Sequence, residues 1–285
     1  MTDLGSIQHV ADTSLWVAVH RASEGDRPDA MYKDPYARTL AGERGALIAK
    51  KMAAPKFMAW MMAMRTVGID QLIEEAVDLG VDTILNLGAG LDTRPYRLNF
   101  KRPLKWIEVD FPAIIDLKNE KLKGIAANVS LERVSVDLSQ RLAAQNLFKE
   151  IGNQSKQVLV ITEGVIPYLS DSQAEILAQD LFSNSAFKYW IQDYRRGGYG
   201  GAVIPSWIRR RMKAAPFKFS QVDWFGFFES HGWTLKRDIR LAEIAEQRGR
   251  PFPIEFPLSF FVLFMPKIER EKMRYASGVA MLERL

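Results

Sequence analysis

The 285-residue chain contains no cysteine and only three histidines, at positions 9, 20 and 231. Without cysteine the sequence excludes a disulfide scaffold, a thiolate zinc site and a cysteine nucleophile. The histidines are far apart and do not have the HExxH or HxxxH spacing of a helical zinc site. We therefore predict no metal site, and the lack of cysteine is consistent with a reducing compartment.

Long apolar stretches are also missing. The two longest, residues 57–64 and 260–266, are far shorter than the ~20 residues that span a membrane. The first residues include acidic side chains and lack the apolar region of a signal peptide. The excess of positive charge is small, with 39 Lys and Arg against 34 Asp and Glu, so nothing requires a nucleic-acid partner. We expect a cytoplasmic protein with no membrane partner.

What the chain does contain is enough apolar sequence for a large core, 47% of all residues. Residues 1–80 show helical spacing, which predicts helices at 11–22, 37–52, 57–64 and 70–79. From residue 82 short apolar runs alternate with helical stretches. The runs are residues 83–87, 106–109, 133–136, 158–161, 189–191 and, last, 260–265 before a charged tail. This alternation predicts an α/β fold with a parallel sheet that is covered on both faces. We predict a helical cover at 1–80 and an α/β domain at 81–285, with an insertion near 195–220.

A glycine-containing turn, Asn86-Leu87-Gly88-Ala89-Gly90-Leu91-Asp92-Thr93, follows the first predicted strand directly. Acidic residues follow the next three strands: Asp110, which comes 20 residues after Gly90, then Asp137 and Glu163. The carboxyl ends of parallel strands meet at one edge of a sheet, where ligands bind, and Asp110 is placed to accept two ribose hydroxyls. The pattern favours a nucleoside pocket.

The turn departs from the dinucleotide-binding pattern at its third glycine. Thr93 stands at that position, and Arg94 and Arg97 follow it. The third glycine of the pattern allows close packing of the helix, so its absence counts against NAD and FAD.

Together with Asp34-Pro35-Tyr36-Ala37, Arg65-Thr66 and residues 162–169 (TEGVIPYL), these segments resemble the leucine carboxyl methyltransferase family. The bacterial branch of that family contains S-adenosylmethionine-dependent O-methyltransferases, some of which act in polyketide biosynthesis. The matching segments occur in order across residues 34–169. The resemblance implies a class I methyltransferase (Rossmann-like) fold with a seven-stranded, mostly parallel sheet, an N-terminal helical cover and S-adenosyl-L-methionine as cofactor.

The resemblance also implies roles for individual residues. Seven match family positions that hold the cofactor: Arg65 for the methionyl carboxylate, Gly88 and Gly90 for the methionine and ribose portion, Asp110 for the ribose, Asp137 and Leu138 for the adenine, and Glu163 for the methionyl end.

We therefore predict methyl transfer to an oxygen of a small molecule, either a carboxylate or a hydroxyl. Tyr168, Asp193 and Tyr194 follow the fourth and fifth strands and are the catalytic candidates. No histidine follows a core strand, and a hydroxyl acceptor needs a base, so a carboxylate or an acidic phenol is favoured. Arg195, Arg196 and the basic residues 209–213 are candidates to provide a basic acceptor pocket.

Three alternatives remain open. The first is methylation of a macromolecule, either a protein C-terminal carboxylate or an RNA, which the basic composition allows. The second is a nicotinamide-dependent oxidoreductase. The third is a cofactor-binding module without catalysis.

Overall fold

A computed structural model describes residues 7, 9, 11–52, 55–197, 214–253, 266–268, 271 and 275–285. Its helices are α1 (Asp12–Gly25), α2 (Ala37–Lys51), α3 (Pro55–Asp78), α4 (Arg94–Arg97), α5 (Pro112–Lys121), α6 (Arg141–Gln154), α7 (Asp171–Phe182), α8 (Trp224–Glu229) and α9 (Leu241–Gln247). Its strands are β1 (Thr83–Leu87), β2 (Lys105–Asp110), β3 (Ser130–Ser135), β4 (Val158–Thr162), β5 (Phe187–Arg195), β6 (Trp233–Arg240) and β7 (Ser277–Arg284).

Within the described residues the strands form one seven-stranded sheet in the order β3-β2-β1-β4-β5-β7-β6. The first five strands are parallel, and β7 runs antiparallel between β5 and β6. The predicted α/β fold with a mostly parallel seven-stranded sheet is confirmed. The strand order reverses between β1 and β4, and in open α/β sheets a ligand binds beside that reversal at the carboxyl ends of the strands.

The central strands are apolar because both faces of the sheet are covered. β1 and β4 are buried along their whole length. Successive side chains point to opposite faces, so Leu85 and Val160 pack with residues of α6, α7 and α8, whereas Ile84 and Leu159 pack with residues of α3 and α9.

The helical part differs from the prediction in one respect, since α3 is a single helix where the sequence predicted two, at 57–64 and 70–79. Gly68 lies within this helix and has a packing role. A Cβ atom at Gly68 would lie 2.7 Å from Val279 of β7 and 2.8 Å from Ile244 of α9. Glycine therefore lets α3 approach the sheet and α9 closely.

The C-terminal part contains the largest errors of the prediction. The predicted charged tail is wrong, because β7 lies there, and β6 and α6 were missed as well. The predicted strand at 260–265 and residues 198–213 of the predicted insertion lie outside the described residues. In the parts of the chain that the structure describes, no helix has a span apolar and long enough to traverse a membrane.

Candidate active site

The turn after β1 is built by two glycines with left-handed backbone. Gly88 has φ 65° and Gly90 has φ 50°. The N–H groups of Gly88 and Ala89 donate to the carbonyl oxygen of Val109, at 2.8 and 3.1 Å. A Cβ atom at Gly88 would lie 2.6 Å from Cγ2 of Val165. Glycine is therefore required at position 88 both by its backbone conformation and by the close approach of the segment after β4.

Asp110 ends β2 directly beside this turn. Its Oδ2 accepts the N–H of Gly90 at 2.6 Å, and its Oδ1 accepts the N–H of Phe111 at 2.7 Å. Burial raises the pKa of the Asp110 carboxyl, although both N–H groups favour the ionised form. Asp110 is thus in direct contact with the glycine turn, and its role in holding the ribose stays a prediction.

The end of β3 lies next to Asp110. The N–H of Val136 donates to the carbonyl oxygen of Asp110 at 3.1 Å, and Asp137 and Leu138 follow. Asp137 accepts the N–H of Ser139 at 2.9 Å, whereas Leu138 is half-buried against the core on the face of α6 and α7. The two residues predicted for the adenine therefore follow the strand that neighbours the one ending in Asp110.

A second group of predicted residues meets at the ends of β4 and β5. Arg65 reaches them from α3: its Nε lies 2.9 Å from Oε1 of Glu163, and its Nη1 donates to Oδ2 of Asp193 at 3.0 Å. The other oxygen of Asp193 accepts the N–H of Gly164 at 2.7 Å. Arg65, Glu163 and Asp193 are thus in direct contact, and both oxygens of Asp193 are engaged.

Arg94, the first residue of α4, is a residue of this site for which the sequence analysis predicted no role. Its Nη1 donates to Oε2 of Glu163 at 2.7 Å and to Oδ2 of Asp92 at 3.0 Å, and its Nε donates to Asp70 at 2.7 Å. Burial would raise the pKa of Glu163, but the charges of Arg94 and Arg65 outweigh it, so this pKa lies below its usual value. Glu163 is therefore ionised at neutral pH.

Further ion pairs tie the N-terminal helices to the same region. Thr93 donates its hydroxyl to Asp34 at 2.7 Å, and Arg21 of α1 lies 3.2 Å from the same carboxylate. Arg97 makes two hydrogen bonds to Asp70 of α3, at 2.6 and 2.8 Å. We call the linked groups the arginine–carboxylate network; its members are Arg21, Arg65, Arg94, Arg97, Asp34, Asp70, Asp92, Glu163 and Asp193.

The two candidate tyrosines occupy different surroundings. Tyr168 is half-buried, its ring lies 5.3 Å from that of Phe217, and burial raises its pKa to about 12. Tyr194 follows Asp193 in β5 and points to the opposite face, where its phenol donates to Asp238 and its ring packs on Phe225. Tyr194 is therefore not brought together with Asp193, and its catalytic role stays a prediction.

The three histidines have different surroundings, and His9 is close to Asp110. His20 is buried in α1 edge-on to Trp16, and burial lowers its pKa to about 4. Nδ1 of His231 lies 2.7 Å from the carbonyl oxygen of Phe227, and the ring of His9 lies edge-on to Phe111. The residues that the structure describes contain no group of three His, Asp or Glu side chains arranged to hold a metal ion.

Comparison with known proteins decides the family. The family model described as leucine carboxyl methyltransferase matches residues 14–182, which is more than half of the chain. The chain belongs to the leucine carboxyl methyltransferase family.

Curated relatives agree with this membership. A protein of Streptomyces coelicolor is 26% identical over 262 residues, which cover 84% of this chain and 88% of the relative. One of Parafrankia sp. is 29% identical over 277 residues, which cover 89% of this chain and 86% of the relative. Both are named as inferred S-adenosyl-L-methionine-dependent methyltransferases. This leucine carboxyl methyltransferase family member is an S-adenosyl-L-methionine-dependent methyltransferase, so the oxidoreductase alternative is set aside.

Two solved structures share the fold of this family member. A DUF574 family protein of Streptomyces avermitilis superposes with a TM-score of 0.57 at 14% identity, covering 94% of this chain and 97% of the other. An inferred methyltransferase of Thermobifida fusca superposes with a TM-score of 0.55 at 12% identity, covering 99% of this chain and 96% of the other.

The donor set fits the cofactor of this family member. S-adenosylmethionine carries a sulfonium and an ammonium against one carboxylate, so its net charge is positive. In the arginine–carboxylate network five carboxylates face four guanidinium groups, and Asp110 adds another carboxylate nearby. The network and Asp110 together thus carry a small excess of negative charge, which suits a ligand of net positive charge.

Proposed function

We propose that this enzyme transfers the methyl group of S-adenosylmethionine to a carboxylate oxygen of a small molecule. The observation that carries the proposal is the state of the side chains around Arg65. Asp193 accepts from Gly164 and Arg65, and Glu163 is held by two arginines. Tyr168, with its pKa near 12, is protonated at neutral pH. An acceptor that is already an anion needs none of them as a base.

The cofactor residues in this proposal are those that follow the strands. Bound S-adenosylmethionine supplies a methyl group on a sulfonium, which is already activated for displacement. We assign Arg65 and Glu163 to the methionyl end, Gly88 and Gly90 to the methionine and ribose portion, Asp110 to the ribose hydroxyls, and Asp137 and Leu138 to the adenine. The contacts of Asp110 with the glycine turn and of Arg65 with Glu163 support this assignment.

In this proposal the protein contributes to the reaction by positioning the acceptor and the cofactor and by excluding water. An in-line displacement gains most from holding the acceptor oxygen and the methyl carbon in line. Arg65 lies beside Tyr168, whose phenol is a hydrogen-bond donor at neutral pH, and Tyr168 packs on Phe217. We assign this corner to the acceptor, with Asp193 keeping Arg65 and the turn at Gly164 in place.

Residues 1–80 form the cover in this proposal and contribute Arg65, whereas residues 81–285 contribute the other residues that bind the cofactor. α1 lies against the glycine turn, since a Cβ atom at Gly90 would be 3.1 Å from Cβ of Ser14. Arg65 of α3 links the cover to β4 and β5. We expect S-adenosylmethionine to slow hydrogen exchange in α1 and α3 as well as in the glycine turn. Equal exchange of residues 1–80 with and without cofactor would contradict the cover role.

The pH dependence of kcat/KM on a carboxylic acid substrate tests the carboxylate proposal. Because the acceptor is ionised and no side chain must lose a proton, we expect a flat profile between roughly pH 6 and pH 9. Single alanine variants of His9, His20 and His231 should keep their turnover once folded. A rate that rises tenfold per pH unit, or a histidine variant that loses about a hundredfold in turnover while binding cofactor, would contradict it.

A peptide C-terminal carboxylate is a second acceptor of the same chemistry, and the description of the matching family, leucine carboxyl methyltransferase, favours testing it. Leucine-terminated peptides and small carboxylic acids should be assayed side by side. We expect turnover on small acids. Turnover confined to the peptides would replace the small molecule in the proposal by a protein.

A further inference from the structure

We propose that Arg94 is a positioning residue of the cofactor site, which holds the carboxylate of Glu163 in place and cannot be replaced by lysine. This inference rests on the proposed function through its assignment of Glu163 to the methionyl end of the cofactor. Arg94 directly follows Thr93, which stands where the dinucleotide-binding pattern has its third glycine, so the inference assigns a function to this part of the turn.

Glu163 is fixed from two sides. Its Oε1 faces Nε of Arg65 at 2.9 Å, and its Oε2 accepts from Nη1 of Arg94 at 2.7 Å. The plane of the carboxylate is therefore set by two guanidinium groups. Arg65 comes from α3 in the cover, whereas Arg94 comes from α4, next to the glycine turn.

Arg94 is itself anchored to the sheet. Its own N–H donates to Oδ1 of Asp92, and its Nη1 donates to Oδ2 of the same carboxylate, both at 3.0 Å. Asn86 of β1 donates to Asp92 at 2.9 Å. Asn86 belongs to the central strand β1, and Glu163 follows β4. Hydrogen bonds from Asn86 to Asp92 and from Arg94 to Asp92 and Glu163 therefore connect the ends of these two strands.

The contacts of Arg94 depend on the planar shape of its guanidinium group. Arg94 is 1% exposed and meets three carboxylates, from Asp70, Asp92 and Glu163, through two of its nitrogens. A lysine ammonium has the same charge but is a single point, so it cannot reach Asp70 and Glu163 together. A lysine here keeps the net charge of the site and removes only the geometry.

Arg97 is the natural control, because it is also buried and also pairs with Asp70. Its two hydrogen bonds go to Asp70 and its guanidinium lies over the ring of Tyr32, and no contact with Glu163 is found among the described residues. R94K and R97K therefore both remove a buried guanidinium, but only R94K removes a hydrogen bond to Glu163.

The experiment measures the affinity of the folded enzyme for S-adenosylmethionine by calorimetry. We expect R94K to bind about tenfold more weakly than the parent, which corresponds to one lost charge-assisted hydrogen bond. R97K should weaken binding less than R94K does, because it leaves the hydrogen bond from Arg94 to Glu163 in place. The R94K affinity should also fall more steeply than the parent affinity as the pH is lowered, because Glu163 has lost a partner that keeps it ionised. Equal affinities of R94K and the parent would overturn the inference.

A double-mutant cycle with E163Q shows whether Arg94 acts through Glu163. We expect E163Q to weaken binding and R94K to add little in the E163Q background. Full additivity would overturn the role of Arg94 and leave the cofactor assignment of Glu163 standing. Unchanged affinity of E163Q alone would instead remove Glu163 from the cofactor site, and this inference with it.

If R94K does not fold, D70N replaces it, because it weakens the anchor of Arg94 at Nε and leaves the guanidinium in place. The positioning role is supported if D70N binds S-adenosylmethionine more weakly than the parent while the D70N/E163Q double variant binds it as tightly as E163Q does. Unchanged affinity of D70N overturns it.

Discussion

Replacing Asp110 by asparagine separates the structural role of this carboxylate from its proposed role in binding ribose. The side chain is buried, and each of its oxygens accepts one backbone N–H, from Gly90 and from Phe111. The asparagine amide keeps one acceptor oxygen and turns its NH₂ group toward the other N–H. One charge-assisted hydrogen bond is lost, but the neutral amide also escapes the burial cost that raises the pKa of Asp110, so we expect D110N to lower the free energy of unfolding by less than the roughly 1.5–3 kcal/mol of such a bond.

The affinity should fall by an additional and separate amount. If the Asp110 carboxylate also accepts the ribose hydroxyls, its loss should weaken S-adenosylmethionine binding by about tenfold to a hundredfold. Calorimetry on the folded variant measures this, and urea unfolding measures the stability. D116N is the matched control, because Asp116 lies exposed on α5 and the variant makes the same change in net charge.

Two results would refute this reasoning. If D110N binds S-adenosylmethionine as tightly as the parent, Asp110 does not contact the ribose. If D116N weakens binding as much as D110N, the effect comes from net charge and not from the position of the carboxylate.

The remaining predictions concern Gly88, His20 and Arg65. G88A should destabilise the fold more than G124A in urea unfolding. Both glycines have positive φ, but only a Cβ atom at position 88 would meet another side chain, that of Val165 at 2.6 Å. Equal losses of stability would refute the steric argument. The pKa of His20 is near 4 in the folded state and 6.5 in the unfolded state, so the folded state should lose about 3 kcal/mol of stability as the pH falls from 6.5 toward 4. In urea unfolding a folded H20L variant should lose less stability over this range than the parent. Equal losses in the two proteins would contradict the prediction. R65K should bind S-adenosylmethionine more weakly than the parent in calorimetry, because it keeps the charge but cannot meet Glu163 and Asp193 together; equal affinity would contradict this.

The parts of the site that the sequence predicts are those that follow strands. Gly90 and Asp110 are 20 residues apart in the chain, and the parallel pairing of β1 and β2 makes them neighbours. That relation follows from the alternation of apolar runs and helices alone. The sequence also contains the reason why Asp193 and Tyr194 are separated, because successive residues of a strand point to opposite faces.

The parts that the sequence does not predict depend on distant partners. Arg94 meets Asp70 and Glu163, which lie 24 and 69 positions away, and no local pattern relates them. β7 was missed for a similar reason. Its residues SGVAMLER include good helix formers, and they form a strand because β5 and β6 pair with them on both sides.

The most direct test of the proposed chemistry is the alkali stability of the methylated product. The enzyme is incubated with methyl-labelled S-adenosylmethionine and a set of small carboxylic acids, phenols and alcohols, and each labelled product is then treated with mild alkali. A methyl ester hydrolyses under these conditions, so we expect the label to leave as methanol and the original acid to be recovered. A label that remains on the product after this treatment, as in an ether or an N-methyl compound, would contradict transfer to a carboxylate oxygen.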